Sequence, residues 1–488
     1  MNKFYITTTL PYVNAEPHIG FALETVQADI IARYQRSLGN EIIFNTGTDE
    51  HGIKIYKQAF SEQKDPQQYV DYYAAKFEKL KNTLNLSYTN FIRTTDKNHI
   101  EAAQYFWQLC DKNGDIYKKN YKIKYCVGCE LEKTESELID GKCPLHPNFE
   151  IELIEEENYF FKWSNFQERL LKLYEEHPDF VVPANRLNEI KQFVKSGLND
   201  FSISRLKEKM PWGIDVPGDE KHVMYVWFDA LINYISTLGW PKDQKNFEQF
   251  WGTKEKPNAI QIAGKDNLRQ QSAMWQAMLM SAGLPNSKQI IIHGFITSDG
   301  QKMSKSLGNV VNPFEIVDKF GTDAFRYWAV GQLSPFADGD FTWQKFQNTY
   351  NSDLANGLGN LISRVAKLCE TANFKQSPSE NNKHVIDGFD EYQKLLNEYR
   401  FNEVLNLVWA KITRLDQYIN QEKPWELLKN PAGNLKRSIT AILDHAVDEI
   451  EEIAQLLEPF LPETSAKIKA QFTTAEIKSS APLFPRIT

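Results

Sequence analysis

The alternation of short strand-like and longer helical stretches at the start of the chain is the feature that most restricts its fold. Phe4-Tyr5-Ile6-Thr7-Thr8-Thr9 is rich in aromatic and β-branched residues and reads as a strand. Ile19, Leu23, Val26, Ile30 and Tyr34 then recur at helical spacing until Gly39-Asn40 stops the run. Glu41-Ile42-Ile43-Phe44 returns to strand, and helical stretches follow from about Pro66 to Leu84 and from Asn98 to Asn113. Strand, helix and strand in succession favour a parallel α/β sheet with its sites at the carboxyl ends of the strands.

Two motifs stand out against this frame. Thr9-Leu10-Pro11-Tyr12-Val13-Asn14-Ala15-Glu16-Pro17-His18-Ile19-Gly20 places His18 and Gly20 where a strand turns into a helix. Free backbone N–H groups and the positive end of the helix dipole favour a phosphate there, and Gly20 lets a ligand approach closely. Read alone, His18 could equally be a surface histidine capping a turn. Far downstream, Lys302-Met303-Ser304-Lys305-Ser306 follows Asp299-Gly300. Two ammonium groups on flexible stems can follow phosphate oxygens as they separate, and Gly300 and Gly308 leave the turn free to move. Read alone, this pentad could be a solvated basic loop. Their joint occurrence favours a nucleotide-activating site.

Around Asp115 the pattern breaks into Lys- and Cys-rich short segments, an insertion lasting to about Lys221. Within it lie Cys126-Val127-Gly128-Cys129 and Cys143-Pro144-Leu145-His146. Two ligand pairs at these spacings can close a tetrahedral Cys3His zinc site, with Gly128 permitting the tight turn. Three buried structural cysteines or a redox pair are the alternatives. Four ligands leave no open position, so the zinc would be structural. His99 and Cys110 fall outside the pattern. The sheet resumes with Ala259-Ile260-Gln261-Ile262-Ala263 and Gln289-Ile290-Ile291-Ile292, and helix dominates from about Trp343.

Composition agrees with this reading. A chain of 488 residues suggests two or three domains, and 42% apolar residues can bury substantial cores. No apolar run approaches a membrane span, and Met1-Asn2-Lys3 leads straight into a strand, so no membrane association is expected. Five cysteines, three around one candidate metal site, fit a reducing cytoplasm rather than a disulfide framework. A net charge of −8 weighs mildly against a protein coated in nucleic acid but allows local basic patches.

Pro17-His18-Ile19-Gly20 together with Lys302 to Ser306 resembles the signature pair of class I aminoacyl-tRNA synthetases. Leu10-Pro11-Tyr12-Val13-Asn14, Gly47-Thr48-Asp49-Glu50-His51-Gly52, Tyr225-Val226-Trp227-Phe228-Asp229-Ala230, Gly264-Lys265-Asp266 and His293-Gly294-Phe295 resemble the methionyl branch, in its bacterial zinc-containing type. These run in the family's order from residue 4 to about residue 425. The resemblance implies a Rossmann-like parallel-sheet catalytic domain split by a zinc-containing insertion, followed by an α-helical bundle that binds the anticodon. The corresponding spans are 1–114 and 222–300 for the catalytic halves and 115–221 for the insertion. Residues 301–342 form the loop and linker, and 343–488 the helical domain.

By the same resemblance, Asp49 holds the α-amino group of methionine beside Leu10 and Tyr12. Trp227, Ala230, Tyr234, Gln271 and Trp275 would enclose the side chain, and a thioether packs well on aromatic rings. Without the family, Trp227 and Tyr234 at seven-residue spacing are one helix face. ATP falls to His18, Gly20, Gly264, Asp266, His293, Lys302 and Lys305, with Asp266 on the ribose. His18, Lys302 and Lys305 are the catalytic set, and Mg2+ accompanies ATP. The implied reaction is in-line attack of the methionine carboxylate on the α-phosphate, then transfer to the terminal ribose of tRNA(Met), initiator included. Asn360, Arg364 and Trp425 would read the anticodon; read alone, the first two share a helix face and Trp425 could be core. Three positions depart from the family pattern. Phe21 replaces a second histidine, and Asn267 and Gln271 replace an apolar residue and a histidine. A synthetase for another small amino acid, or an inactive zinc-containing tRNA-binding paralogue, are the alternatives. Some members append a dimerising domain after the helical region, and its absence here leads to an expected monomer.

Overall fold

The computed structural model describes residues 1–129, 131–133, 135–303, 308–375, 388–429 and 434–487. The chain divides into two compact units. One holds Met1–Pro17, Gln35–Lys81 and Ser87–His293; the other holds His18–Tyr34, Asn82–Leu86 and Gly294–Thr488.

The first unit is built on a six-stranded, all-parallel sheet. Its strands are β1 (Lys3–Thr8), β2 (Glu41–Thr48), β3 (Asn90–Arg93), β4 (Val181–Val182), β5 (Ala259–Gly264) and β6 (Gln289–His293). They lie in the order β3-β2-β1-β5-β6-β4. Helix α1 (Ile19–Ser37) connects β1 to β2, and α2 (Ile53–Ser61) and α3 (Pro66–Thr83) connect β2 to β3. The central strands are buried on both faces, which is why β5 reads as a nearly unbroken apolar run. From β1 the chain adds strands on one side, then returns to add β5 on the other. The order therefore reverses between β1 and β5, and the crevice at their carboxyl ends is where open α/β sheets bind ligands.

Helix α4 (Lys97–Lys112) packs Phe106 and Trp107 into an aromatic core that includes Phe228, Trp240, Trp251 and Trp275. Beyond α4, Ile116–Cys126 pairs antiparallel with Ile151–Phe161 along its whole length and with Leu131–Lys133 near its end. This long ribbon carries the cysteine motifs at its tip. Val181–Val182 lies inside the span read as an insertion yet joins the edge of the main sheet through Ile290 and Ile291. Two residues are too few to show a strand pattern in sequence.

In the second unit the middle of α1 is pinned by buried charge at Asp29. Arg326 donates to the Asp29 carboxylate (2.8 Å) and to the carbonyls of Leu84, Pro459 and Phe460 at 2.7–3.0 Å. From Trp343 onward the unit is helical, with long helices at Asn360–Ala372, Phe401–Glu422 and Asn434–Leu457. No helix among the described residues is long and apolar enough to cross a membrane.

Candidate functional site

The first part of the candidate site is assembled by extending β1 alongside β2. The Val13 N–H donates to the Asp49 carbonyl (3.2 Å) and the Asp49 N–H to the Pro11 carbonyl (3.0 Å). Tyr12 thus lies directly beside Asp49. The turn after β2 is fixed by its next residue. Glu50 is fully buried and receives Arg93 through two hydrogen bonds (2.6 and 2.9 Å) and the Thr48 hydroxyl (2.7 Å). The indole N–H of Trp212 donates to the Glu50 carbonyl (2.6 Å). A bidentate guanidinium–carboxylate pair of this kind sets the turn's orientation as well as its charge. Asp49 is therefore a buried carboxylate on a rigid mount, suited to an ammonium ion.

The apolar side comes from two short helices, α5 (Val226–Ala230) and α6 (Asn233–Ser236). Trp227 and Tyr234 sit on separate helices, because the chain turns between them; the single helix face expected from their spacing does not form. Tyr234 is held from both ends. Its carbonyl accepts from the Tyr5 hydroxyl (2.7 Å), and its own hydroxyl accepts from Gln271 Nε2 (2.7 Å). Gln271 is oriented in turn by Gln261 Nε2, which donates to its Oε1 (3.1 Å). An amide can serve both partners at once, which gives Gln271 a defined rotamer in a buried position. Trp275 is fully buried and meets Tyr234 edge-on, with ring centroids 5.8 Å apart.

At the next strands, Gly264 ends β5 in register with His293 at the end of β6. A Cβ on Gly264 would lie 2.9 Å from Asp266 Oδ1 and 3.6 Å from the His293 ring. Gly264, Asp266 and His293 therefore converge at the carboxyl end of the sheet, beside the switch point.

His18, Ile19 and Gly20 of the first signature, and Lys302 of the second, belong to the second unit. The Gly20 N–H is not left open as expected: it donates to His18 Nδ1 (3.0 Å). A Cβ on Gly20 would come within 2.9 Å of the His18 ring, so the glycine serves this close approach. With Nδ1 accepting, the proton of a neutral imidazole sits on Nε2 and can be donated to an anion. Although His18 keeps solvent access, the protein around its ring desolvates it and lowers its pKa, which favours that neutral form. The Ile19 N–H donates to the Val311 carbonyl (3.1 Å), tying the start of α1 to the chain just beyond the second motif.

Lys302 lies on a strand rather than on a free turn. Gln301–Lys302 pairs antiparallel with Ile296–Ser298, which pairs parallel with Gly339–Phe341. Asp299 (φ 51°) and Gly300 (φ 72°) make the two-residue hairpin turn, and Gly300 donates to Asp340 (2.7 Å). Here Gly300 supplies the left-handed conformation that the turn requires. Ser304, Lys305 and Ser306 lie outside the described residues.

Cys126, Cys129, Cys143 and His146 form one cluster, all ligand atoms within 4.8 Å of one another. Cys129 Sγ lies 3.4 Å from Cys143 Sγ and 3.2 Å from His146 Nδ1. Zinc–sulfur bonds of about 2.3 Å in a tetrahedron set sulfur–sulfur edges near 3.8 Å, so the donor set fits that ion. Gly128 serves by its small size: a Cβ there would lie 2.5 Å from the His146 ring. Asn360 and Arg364 are one turn apart on one helix, and the Arg364 guanidinium lies 5.6 Å from the Trp425 ring. Arg364 also donates to Asp416 (2.6 Å) and Asn420 (2.8 Å), two partners that the sequence motifs did not single out.

The sequence motifs also left His51, His99 and Asp229 unassigned. Both oxygens of the buried Asp229 carboxylate are taken by these histidines, at 2.7 Å to His51 Nδ1 and 2.8 Å to His99 Nε2. A visible signal was present in the charged residue that interrupts the apolar run Tyr225-Val226-Trp227-Phe228-Asp229-Ala230.

Residues 4–152 and 137–366 match the profile of the tRNA synthetases class I (M). A methionine–tRNA ligase from Thermotoga maritima is 41% identical over 478 residues, spanning 96% of this chain and 74% of that protein. One from Nostoc is 41% identical over 482 residues, with 96% and 89% covered. The solved structure of Mycobacterium tuberculosis methionyl-tRNA synthetase in complex with methionyl-adenylate superposes with a TM-score of 0.91 at 31% identity, over 100% of both chains. The chain belongs to the class I tRNA synthetases, in the methionyl branch.

Proposed function

We propose that this chain activates L-methionine with ATP and transfers the methionyl group to the 3′-terminal ribose of tRNA(Met), initiator included. The observation that carries the reading is near-full-length identity of about two residues in five to methionine–tRNA ligases, and the buried Asp49 beside Tyr12 supports it. Asp49 takes the ammonium, with Leu10, Tyr12, Trp227, Ala230, Tyr234, Gln271 and Trp275 forming or backing the thioether pocket. Asp266 takes the ribose hydroxyls, and Gly264 and His293 leave room for the nucleoside. His18 Nε2–H and the ammonium groups of Lys302 and Lys305 take the phosphates. The methionine carboxylate attacks the α-phosphorus, the bond to pyrophosphate breaks, and methionyl-adenylate remains. A ribose hydroxyl of tRNA then attacks the acyl carbon and AMP leaves. No side chain becomes covalently linked, so catalysis is positioning and charge stabilisation.

Magnesium, when bound with ATP, neutralises phosphate charge. A single zinc ion would be held by Cys126, Cys129, Cys143 and His146 in a closed structural site at the ribbon's tip. Asn360, Arg364 and Trp425 would receive the anticodon, with the indole as a stacking platform. The functional partition follows residues 1–114 and 222–300, 115–221, 301–342 and 343–488, and the setting is the cytoplasm.

ATP–pyrophosphate exchange measured with each amino acid tests the reading. Exchange with methionine alone is expected; exchange with another amino acid would move the specificity, and none would mark an inactive paralogue. Phe21→His is expected to leave this exchange within about tenfold of the natural chain, because the phosphates keep His18 and both lysines. A larger gain would show the natural site to be impaired. Gly128→Ala is expected to reduce zinc content, measured by atomic absorption, well below one ion per chain, because the new methyl group must displace the His146 ring. Full retention of zinc would show that His146 can move without leaving the ion.

A further inference from the structure

Asp229 is fully buried, and so is His99, while His51 is only 5% exposed. Burial alone would raise the pKa of Asp229. The charge and hydrogen bonds of His51 and His99 more than offset this, leaving it below the usual carboxylate range. Its two oxygens reach different parts of the first unit. Oδ2 meets His51 Nδ1 on the turn that carries Asp49, two residues away. Oδ1 meets His99 Nε2 on α4, and the other ring nitrogen of His99 contacts the Ser236 hydroxyl at 2.9 Å. Ser236 shares α6 with Tyr234, and Asp229 itself shares α5 with Trp227 and Ala230.

A buried ionised carboxylate is a poor source of net stability, because desolvation consumes most of what its partners return. What such a group does well is fix registry between elements. We propose that Asp229 is a positioning residue for the amino-acid pocket: one carboxylate sets the turn bearing Asp49 against the two short helices bearing Trp227, Ala230 and Tyr234. Packing by itself would hold these helices in the core, since Phe228 already packs edge-on against Phe106 and Trp107 and tilted against Phe161. The carboxylate adds direction. Each carboxylate oxygen accepts from one imidazole, so His51 carries a proton on Nδ1 and His99 one on Nε2. The distance from the ammonium-binding carboxylate to the apolar wall is thereby fixed.

This inference rests on the methionine reading, which the wild-type exchange assay tests by itself. The variants then test the inference. In Asp229→Asn the shape is kept, but an amide offers one acceptor, so one histidine must change tautomer or turn away. The methionine KM in exchange is expected to rise about tenfold or more, with the ATP KM within about twofold and the melting temperature within a few degrees. An unchanged methionine KM in a folded protein, or equal rises for both substrates, would overturn the proposal. A second pair of variants stands even if Asp229→Asn does not fold. His51→Ala is expected to raise the methionine KM by a similar factor. His51→Asn, whose amide nitrogen stands in for Nδ1 and can still donate to Asp229, is expected to recover it to within about threefold. Failure of His51→Asn to restore binding would show that the imidazole acts in its own right.

Discussion

Replacement of Lys305 by alanine is expected to slow methionine-dependent ATP–pyrophosphate exchange by about a hundred- to a thousandfold, the usual cost of removing one donor to transition-state charge. The physical reason is the distribution of phosphate ligands. His18 offers a single Nε2–H, because its Nδ1 is engaged by the Gly20 N–H. Position 21, where the family usually supplies a second imidazole, is Phe and cannot donate. On the proposed reading, the negative charge that develops on departing pyrophosphate would therefore fall on the two lysines. Lys302 is anchored on a hairpin strand opposite Thr297. Lys305 stands three residues further along the sequence, and an ammonium on a four-carbon stem can follow a leaving group. Lys302→Ala should accordingly cost less than Lys305→Ala. The check is single-turnover adenylate formation alongside exchange, with melting curves as the folding control. A loss below about tenfold for Lys305→Ala would place the charge stabilisation elsewhere.

Arg326→Leu is expected to destabilise the second unit by about 3–5 kcal/mol, the range seen when one member of a buried charged network is removed. Arg326 is fully buried, and its planar fork satisfies four acceptors at once: Asp29 and the carbonyls of Leu84, Pro459 and Phe460. Burial lowers its pKa, and the Asp29 carboxylate acts in the opposite direction. Leucine removes the donors to three carbonyls and one of the guanidinium partners of Asp29, leaving the Arg33 ion pair (2.7 Å) in place. Lysine should not rescue, because one ammonium cannot reach a fan of acceptors. Calorimetry should show the transition lowered by roughly 10 °C. A lysine variant as stable as the natural chain would show that charge, not the planar geometry, is what matters.

These two cases also separate what could be read early from what could not. The parallel sheet was legible because β1, α1 and β2 carry strong local patterns, and so was the cysteine cluster, because its spacing is local. Trp227 and Tyr234 were visible as residues, but their mounting on two short helices was not, since a turn between them leaves no periodic mark. Lys302 was visible as a basic residue. Its place on a hairpin was missed because the pairing partner Ile296–Ser298 is short and also depends on Gly339–Phe341, some forty residues away. Gly20 was read as letting a ligand approach closely; that its missing side chain also makes room for the His18 ring could be seen only in the fold. Val181–Val182 was hidden by its length.

By itself, the sequence determined the class of fold, the family and the identity of the charged groups, because strand and helix periods, ligand spacing and motif order are written along the chain. Tertiary structure alone decided which groups are locked together. Asp229 lies 178 positions from His51 and 130 from His99, and no local pattern encodes such pairings. They exist because folding removes these groups from water, and a desolvated charge must find its partners wherever the packed chain brings them.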